Sequence, residues 1–286
     1  MSTSPRIKGV MAAGLTAFKD DLSVDTDLTL AHTRWLLDSG CDGVLLFGTT
    51  GEANSLSVAE RLAFLDKLGK SDLPKDRLII EHVLMLPPFY YKNPSDEGLF
   101  THFSRTFEAI GSDAMKVYLY HFPQMSAVPF GHELIARMLK AFPNTVCGVK
   151  DSSGDFENMK AMAEKFPGFD VFAGTEKFLL DTLKAGGVGT ITATGNVTVG
   201  GCAKVYNAWK AGSADAEALQ DQLTRERLTL QNYPAAAALK ELLAKNSGKA
   251  SWRNVRAPFM PLPADKAASL VSELDAVNFA LPAKAA

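Results

Sequence analysis

One lysine stands between a short apolar segment and a run of small polar residues. Residues 145–149 favour a β-strand, Lys150 follows directly, and the polar residues 151–155 come next. A lysine at the carboxyl end of a buried strand is half-buried, and burial disfavours the charged ammonium form. A neutral amine attacks ketones and aldehydes, which is the chemistry of Schiff-base lysines. The same segment also fits a lysine that extends to solvent or pairs with Asp151, so by itself it allows both interpretations.

A tyrosine and a pair of threonines follow two other predicted strands. Tyr120 ends one apolar segment, and the sequence Gly-Thr-Thr-Gly-Glu at residues 48–52 follows the apolar residues 43–47. A phenol can transfer protons while a carbinolamine forms and loses water. The N–H groups and hydroxyls of residues 48–52 can bind a carboxylate, although a tight turn before a helix accounts for the same residues. The combination fits a 2-keto acid whose ketone meets Lys150 and whose carboxylate meets the threonines.

Predicted strands alternate with helical patterns through most of the chain. Apolar segments that suit buried strands occur at residues 7–15, 43–47, 78–80, 83–86, 115–120, 145–149, 170–173 and 188–193. Helical patterns of roughly ten residues separate most of them, which is typical of βαβ units with parallel strands. These units predict a (β/α)8 TIM barrel over residues 1–212, with the reactive groups at the carboxyl ends of its strands. Only helical patterns follow, so residues 213–286 are predicted to form a C-terminal helical domain.

The connection near residues 80–83 does not fit an ordinary barrel. Two residues separate Ile80 from Val83, whereas a crossover between parallel strands needs a dozen residues or more. Either residues 78–86 form one continuous strand, or one βα unit is missing here. A barrel that loses a strand must change its diameter and its strand tilt.

Composition excludes several classes of function. The chain has 286 residues and a net charge of −2, with interspersed charges that indicate neither a nucleic-acid groove nor a membrane-binding face. We expect no signal peptide and no membrane-spanning helix. Cys41, Cys147 and Cys202 are predicted to be reduced, buried thiols of a cytoplasmic protein. The five histidines lack metal-ligand spacing, so we expect neither a metal nor another cofactor.

Four motifs, in their order and spacing, resemble the dihydrodipicolinate synthase / N-acetylneuraminate lyase family. They are Gly-Thr-Thr-Gly-Glu at residues 48–52, Tyr120-x-x-Pro123, Gly-Val-Lys-Asp at residues 148–151, and Gly174. The resemblance covers nearly the whole chain. It implies a class I aldolase barrel that holds pyruvate as a Schiff base, acts with an aldehyde as second substrate, and forms a homotetramer or homodimer.

The resemblance also implies roles for individual residues. Lys150 is similar to the Schiff-base lysine and Tyr120 to the catalytic proton shuttle. Thr50 resembles a member of a hydroxyl relay, and Tyr91 resembles the relay tyrosine that many family members donate across a subunit interface. The residues implied to bind the substrate are Thr16, Thr49, Thr50, Gly174 and Ile191, the last through its backbone.

The segment after the shuttle tyrosine departs from the synthases of the family. There the pattern Tyr-Asn-x-Pro-x-Arg-Thr supplies an arginine for the carboxylate of aspartate semialdehyde, whereas here Met125 stands at that position. A methionine cannot pair with a carboxylate. We therefore predict that aspartate semialdehyde is not the acceptor. The enzyme would instead act on another substrate of the family, for example a 2-keto-3-deoxy sugar acid or 4-hydroxy-2-oxoglutarate. The alternatives are a true 4-hydroxy-tetrahydrodipicolinate synthase of lysine biosynthesis and a non-catalytic barrel that binds a 2-keto acid.

Several neighbouring residues have simpler interpretations. Glu52 and Asp151 are predicted to cap helices or support their neighbours rather than act as an acid–base pair. His121 should point away from Tyr120, because successive side chains of a strand alternate. Tyr90 and Tyr91 fit interface packing as well as catalysis.

Overall fold

Parallel strands form one curled sheet in the computed structural model, which describes residues 6–78, 82–112 and 115–282. Seven strands, β1 to β7, occur in these ranges: Gly9–Ala13, Gly43–Leu45, His82–Met85, Lys116–His121, Val146–Asp151, Asp170–Ala173 and Gly189–Thr192. Their order across the sheet is β2-β1-β7-β6-β5-β4-β3, and every neighbouring pair is parallel. The chain therefore has the predicted α/β architecture, and its strands are buried because helices cover the outer face.

The two ends of the strand order lie on either side of the unusual connection. Leu78 forms a single parallel bridge with Val44 of β2, whereas β3 begins at His82 and pairs with β4. Residues 79–81 lie outside the described residues, and most of the predicted strand at 78–80 falls there. The predicted missing βα unit near residues 80–83 thus remains a prediction.

Helices follow most strands, as the sequence predicts. The helices α1 to α11 are Thr26–Asp38, Val58–Lys70, Asp96–Ile110, Pro123–Ser126, His132–Ala141, Phe156–Lys165, Leu179–Lys184, Gly195–Lys210, Ala216–Leu230, Ala235–Ser247 and Ala264–Ala276. Side chains cap the first two helices: Asp25 accepts the Leu28 N–H, and Ser57 forms a reciprocal capping box with Glu60. Sequence analysis missed α3, although Ser95 caps its first turn.

A one-residue shift within β5 determines which way its side chains face. The register between β4 and β5 shifts directly after Val146, which is the signature of a β-bulge. As a result Val146 and Val149 both pack against the outer helices. Cys147 instead packs with Tyr118 in a cluster built by strands on the inner side of the curled sheet. Lys150 follows on this inner side.

The C-terminal helices share a hydrophobic core with the sheet. Leu239 and Leu243 of α10 and Leu270 of α11 belong to the same buried cluster as Val10 of β1 and Leu36 of α1. This packing places α10 close to the loops that follow β1 and β2. The predicted division into residues 1–212 and 213–286 stays a prediction.

A buried histidine–asparagine contact ties β1 to α8. The Asn196 amide group donates to the carbonyls of Ala13 and Ala193, and its oxygen accepts the Leu15 N–H at 3.0 Å. The same oxygen lies 2.8 Å from His32 Nε2, which donates to it in the neutral ring. Burial lowers the pKa of His32 to about 4, although the bond to Asn196 opposes this effect.

We expect His32 to make the fold sensitive to acid. Between its ordinary pKa of 6.5 and about 4, the unfolded chain binds a proton that the folded chain does not. The contribution of His32 to stability is therefore fully present above pH 6.5. It is lost as the pH falls towards 4, which lowers the free energy of unfolding by roughly 3 kcal/mol. The free energy of unfolding, measured with denaturant at pH 7 and at pH 4.5, should fall less between these pH values in His32→Gln than in wild type. The exposed control His102→Gln should behave like wild type, and equal losses in all three proteins would contradict the assignment.

Candidate active site

Lys150 and Tyr120 form a buried pair near the carboxyl ends of adjacent strands. Each is the fifth residue of its strand, and the two lie opposite each other in the β4–β5 register. Lys150 Nζ donates to Tyr120 Oη at 3.3 Å and lies 4.4 Å from the centroid of the tyrosine ring. The residues are 6% and 7% exposed. The structure thus brings together the amine and the phenol that the sequence predicts to be partners.

The residues beside this pair have supporting contacts. Asp151 is fully buried and accepts hydrogen bonds from Ser153 and from the Asn158 amide at 2.7 Å, so it orders the turn that follows Lys150. His121 Nδ1 accepts the Phe130 N–H at 3.1 Å on the outer side of the sheet. Burial lowers the pKa of His121, and the nearby Asp151 opposes this. The predicted outward direction of His121 agrees with these contacts.

The loop at residues 48–52 lies between β2 and the first turn of the next segment. Thr49 is exposed and Thr50 is half-buried. In the described ranges no hydrogen bond joins Thr50 to Tyr120, and the predicted hydroxyl relay stays a prediction. Thr16 is buried and donates its hydroxyl to the Gly51 carbonyl at 2.8 Å, which makes it a support of this loop.

A cavity of about 340 Å³ opens between this loop and Tyr120. Most of its walls are aliphatic or aromatic, and Thr49, Asn54 and Tyr120 are its polar side chains. It is lined by Leu45, Leu46, Phe47, Gly48, Thr49, Ala53, Asn54, Leu65, Val83, Leu84, Leu86, Phe89 and Tyr120. No ionisable acid or cationic side chain occurs among these described lining residues, so the cavity suits an uncharged part of a substrate.

Gly174 and Ile191 lie in the neighbouring strands and turns. The Gly174 N–H donates to the Asp151 carbonyl at 2.7 Å, directly beside the residue that follows Lys150. Ile191 is buried in the inner cluster with Phe172 and Met11. Gly174 thus contacts the residue after Lys150, whereas Ile191 of β7 lies in the inner cluster, and its predicted part in substrate binding stays a prediction.

We expect Gly174→Ala to displace Lys150, the predicted Schiff-base lysine. A Cβ at this position would lie 2.1 Å from Ser152 Oγ and 2.7 Å from the Asp151 carbonyl oxygen, so the backbone after Lys150 must move. Turnover should fall by about 10- to 100-fold, and stability should drop by roughly 1–3 kcal/mol. Steady-state kinetics and thermal unfolding measure both. The control Gly69→Ala, where nothing lies within 4 Å, should leave turnover unchanged; wild-type turnover of Gly174→Ala would contradict the expectation.

Tyr91 is not part of the buried pair in the single chain. It is 79% exposed, and its ring contacts Tyr90 edge-to-face at 5.6 Å. Phe89 and Tyr90 are exposed as well, at 50% and 84%. The structure therefore places the predicted relay tyrosine on an exposed aromatic segment.

The contacts of two buried carboxylates, Glu52 and Glu176, were not predicted from the sequence. Glu52 does not cap a helix with its side chain but forms a fully buried ion pair with Lys240 of α10. Glu176 accepts hydrogen bonds from the hydroxyls of Thr192, Thr194 and Thr198 at the end of β7. A lysine on the apolar face of a predicted helix was the available signal for the first pair, since charged residues are buried there only with partners.

The described residues show no features of a metal site or a membrane span. Within residues 6–78, 82–112 and 115–282, no group of three or more His, Cys, Asp or Glu side chains is arranged to hold a metal ion. Cys41, Cys147 and Cys202 are free and buried, as predicted. Among the described helices, none has the length and apolar character needed to cross a membrane.

Comparison with known proteins assigns the chain to a family. The sequence profile of the dihydrodipicolinate synthetase family matches residues 6–71 and 77–277. The chain belongs to this family. A DapA-like lyase of Chloroflexus aurantiacus, described as uncharacterised, is 32% identical, and the alignment covers 92% of this chain and 94% of the relative. Members of the family are class I aldolases and related lyases, so the prediction of a lyase is confirmed.

Solved structures of the family agree with this assignment. The dihydrodipicolinate synthase of Agrobacterium tumefaciens is 31% identical and superposes with a TM-score of 0.84 over 94% of this chain and 99% of its own. YagE of Escherichia coli, a prophage protein of the family solved in complex with pyruvate, is 22% identical. Its TM-score is 0.85 over 96% of this chain and 100% of its own, which shows a shared fold.

Proposed function

We propose that this chain is a Schiff-base aldolase, or a related pyruvate-dependent hydro-lyase, that uses or releases pyruvate through Lys150. The observation that carries the proposal is the buried contact between Lys150 Nζ and Tyr120 Oη at 3.3 Å. Family membership adds support, because the lysine stands in the motif that resembles the Schiff-base lysine of the family. No cofactor is required, since the lysine itself forms the covalent intermediate.

The first half of the proposed reaction joins Lys150 to the keto acid. The neutral amine attacks the ketone carbon of pyruvate, and the Tyr120 phenol protonates the oxygen that leaves as water. The product is an iminium ion between Nζ and the former carbonyl carbon. The Tyr120 phenolate then takes a proton from the adjacent methyl group. The C–H electron pair becomes the C=C bond of the enamine and the C=N π pair moves onto nitrogen, so the former methyl carbon becomes the nucleophile.

The second half makes or breaks a carbon–carbon bond. The enamine carbon attacks the aldehyde carbon of the acceptor, and the aldehyde oxygen takes up a proton as the new bond forms. Water then hydrolyses the iminium and releases the product with the Lys150 amine restored. The same steps in reverse cleave a 4-hydroxy-2-keto acid into pyruvate and an aldehyde. In both directions Tyr120 carries protons between the oxygen atoms and the intermediate.

Thr49 and Thr50 are proposed to bind the carboxylate of the keto acid. They lie on the loop that borders the cavity next to Tyr120. Their N–H groups and hydroxyls provide donors suited to a carboxylate. Gly174 and the Ile191 backbone complete the site on the side of β6 and β7, and Thr16 supports the loop from β1.

The acceptor is proposed to lack a carboxylate near the cavity. Met125 is 64% exposed and occupies the position at which the synthases carry an arginine. The described residues that line the cavity carry no cation either. Cleavage of a 2-keto-3-deoxy sugar acid yields an uncharged aldehyde, which fits this lining better than the second carboxylate of 4-hydroxy-2-oxoglutarate. Aspartate semialdehyde should react poorly, and efficient saturable condensation with it would favour the lysine-biosynthesis alternative suggested by the Agrobacterium synthase.

The test of the proposed function is covalent trapping. Reduction with borohydride in the presence of pyruvate should add one reduced pyruvyl group, located by peptide mapping on Lys150. Reduction without pyruvate provides the control. Absence of the adduct at every pyruvate concentration would instead support a non-catalytic barrel that binds 2-keto acids.

We also propose that a second copy of the chain covers the exposed aromatic residues. Phe89, Tyr90 and Tyr91 together present a surface of the kind that protein interfaces bury. In a homodimer or homotetramer Tyr91 would then reach its partner's site, as the resemblance implies. Sedimentation equilibrium tests this, and a monomer at working concentrations would refute it. The free, buried cysteines fit a cytoplasmic location.

The scaffold is proposed to be a (β/α)8-type barrel that lacks one βα unit, followed by a helical domain. Val58, Leu62 and Leu65 of α2 are exposed at 70%, 61% and 37%, as expected if a neighbouring helix is absent. The bridge from Leu78 to β2 and the pairing of β3 with β4 support the proposal, because β2 and β3 are the two ends of the strand order and only residues 79–81 separate Leu78 from β3. An intact mass larger than that of these 286 residues by roughly two dozen residues, the length of a βα unit, would refute the loss of a unit.

A further inference from the structure

A buried ion pair connects the 48–52 loop to α10, 188 residues further along the chain. Lys240 Nζ lies 2.5 Å from Glu52 Oε1, and both side chains are inaccessible to solvent. The ammonium group also donates to the Asn254 carbonyl at 2.8 Å. The second oxygen of the Glu52 carboxylate accepts the backbone N–H of Arg256 at 3.0 Å. Both carboxylate oxygens are therefore bound by the C-terminal part of the chain.

Stability alone gives no reason for such a pair. Removing two charges from water costs free energy that their attraction only roughly offsets, so apolar side chains of similar volume would stabilise the fold as well. Burial accordingly lowers the pKa of Lys240, although Glu52 opposes this effect. What the pair adds to apolar packing is direction, because the short bonds hold the Glu52 carboxylate in one position. Its consequence is the geometry of the adjoining loop.

The backbone of the loop depends on this anchor. Glu52 has a φ of +56°, a left-handed conformation that costs a non-glycine residue free energy and persists only where the surroundings hold it. A Cβ at Gly51 would lie 2.8 Å from the Gly14 carbonyl oxygen, so the loop packs directly on the residue after β1. The Gly51 N–H donates to the Gly48 carbonyl at 3.0 Å, and the Glu52 N–H donates to the Thr49 carbonyl at 3.1 Å. These bonds transmit the position of Glu52 to the threonines.

We propose that Glu52 and Lys240 are positioning residues for the carboxylate-binding Thr49 and Thr50. The proposal rests on the proposed function, because it concerns binding of the keto-acid carboxylate. Without the pair the loop loses its anchor on α10, and the carboxylate meets fewer correctly placed donors. The Lys150–Tyr120 contact does not involve the pair. Affinity for the keto acid should therefore fall while the chemical step at saturation is retained.

The test separates affinity from reactivity. Lys240→Met removes the charge at similar volume, and Glu52→Gln keeps an acceptor for the Arg256 N–H. In each variant the pyruvate concentration that gives half-maximal borohydride trapping should rise about tenfold or more, and the trapping rate at saturation should stay within about threefold of wild type. The control is Glu241→Gln. Glu241 also lies in α10, and its carboxylate pairs with Arg253 at 2.6 Å. This substitution should change neither quantity.

A double variant guards against loss of the fold. Each single change leaves one buried charge without its partner, which can prevent folding. Glu52→Gln combined with Lys240→Met leaves no such charge, so it should recover a Tm close to that of wild type while its weak pyruvate binding persists. Amide hydrogen exchange of residues 47–54, measured without ligand, should also be faster in the double variant than in Glu241→Gln. If the pair had a purely structural role, the double variant would regain normal pyruvate binding together with its stability.

The possible failures are distinguishable. The positioning role would be overturned if the double variant kept the wild-type values of two quantities: the half-saturating pyruvate concentration and the amide exchange rate of residues 47–54. The proposed function would then remain intact. A wild-type enzyme that traps no pyruvate would overturn the proposed function, and this proposal with it.

Discussion

Lys150→Arg should reduce turnover on the order of 10⁴-fold or more and abolish the borohydride adduct. Arginine keeps the positive charge and much of the volume, but its guanidinium stays protonated and cannot attack a ketone. The variant should therefore fold and retain the contact with Tyr120 while losing the nucleophile. Turnover, adduct mass and Tm measured on the same preparation separate these effects.

Lys160→Arg is the matched control for this experiment. Lys160 is an exposed residue of α6, the helix that follows β5. It should leave turnover, adduct formation and Tm at wild-type values. An adduct that persists in Lys150→Arg would show that another lysine is the nucleophile and would remove the central assignment.

Tyr120→Phe should slow turnover by about 10²- to 10⁴-fold, the range expected when a positioned proton donor is removed. The ring remains, so its stacking with Phe122 at 5.7 Å is preserved and the fold should be unaffected. The Lys150 amine is still present as the nucleophile, so the adduct should form when the reaction is given enough time. We therefore expect slow but complete trapping of pyruvate. The time course can be measured by stopped-flow methods or by quenching the reduction at intervals.

Tyr118→Phe provides the control on the same strand. Tyr118 also faces the inner side, but its hydroxyl donates to Asp170 at 3.2 Å, and Asp170 begins β6 at the amino end of the sheet. Its removal should leave the trapping rate close to that of wild type. If both tyrosine variants slow trapping equally, the proton shuttle cannot be assigned to Tyr120.

The local elements could largely be predicted from the sequence. The helical patterns predicted after residue 213 are present as α9 to α11, and aspartate and serine, residue types that favour N-caps, cap α1 and α2 through Asp25 and Ser57. Such features depend on periodicity and on residues three or four positions apart. The missed helix Asp96–Ile110 had a capping serine as well, so that failure lay in the interpretation of the pattern.

The direction of each strand side chain was harder to predict. Simple alternation places Cys147 and Lys150 on opposite faces of β5. The bulge after Val146 puts both on the inner side. A bulge arises from the fit between neighbouring strands, and that fit involves Tyr118 of β4 and Asp170 of β6, which are far from β5 in sequence. No pattern within β5 reveals it.

The sequence by itself determined the family to which the chain belongs and the candidate residues for its chemistry: a lysine and a tyrosine after apolar strands, and two threonines in a glycine-rich loop. The tertiary structure alone decided how these groups are held. It paired Glu52 with Lys240, engaged Thr16 with the loop, and lined the cavity with uncharged side chains. The physical reason is distance along the chain, because contacts between residues 188 positions apart depend on how whole elements pack, and local periodicity can mark a buried lysine without identifying its partner.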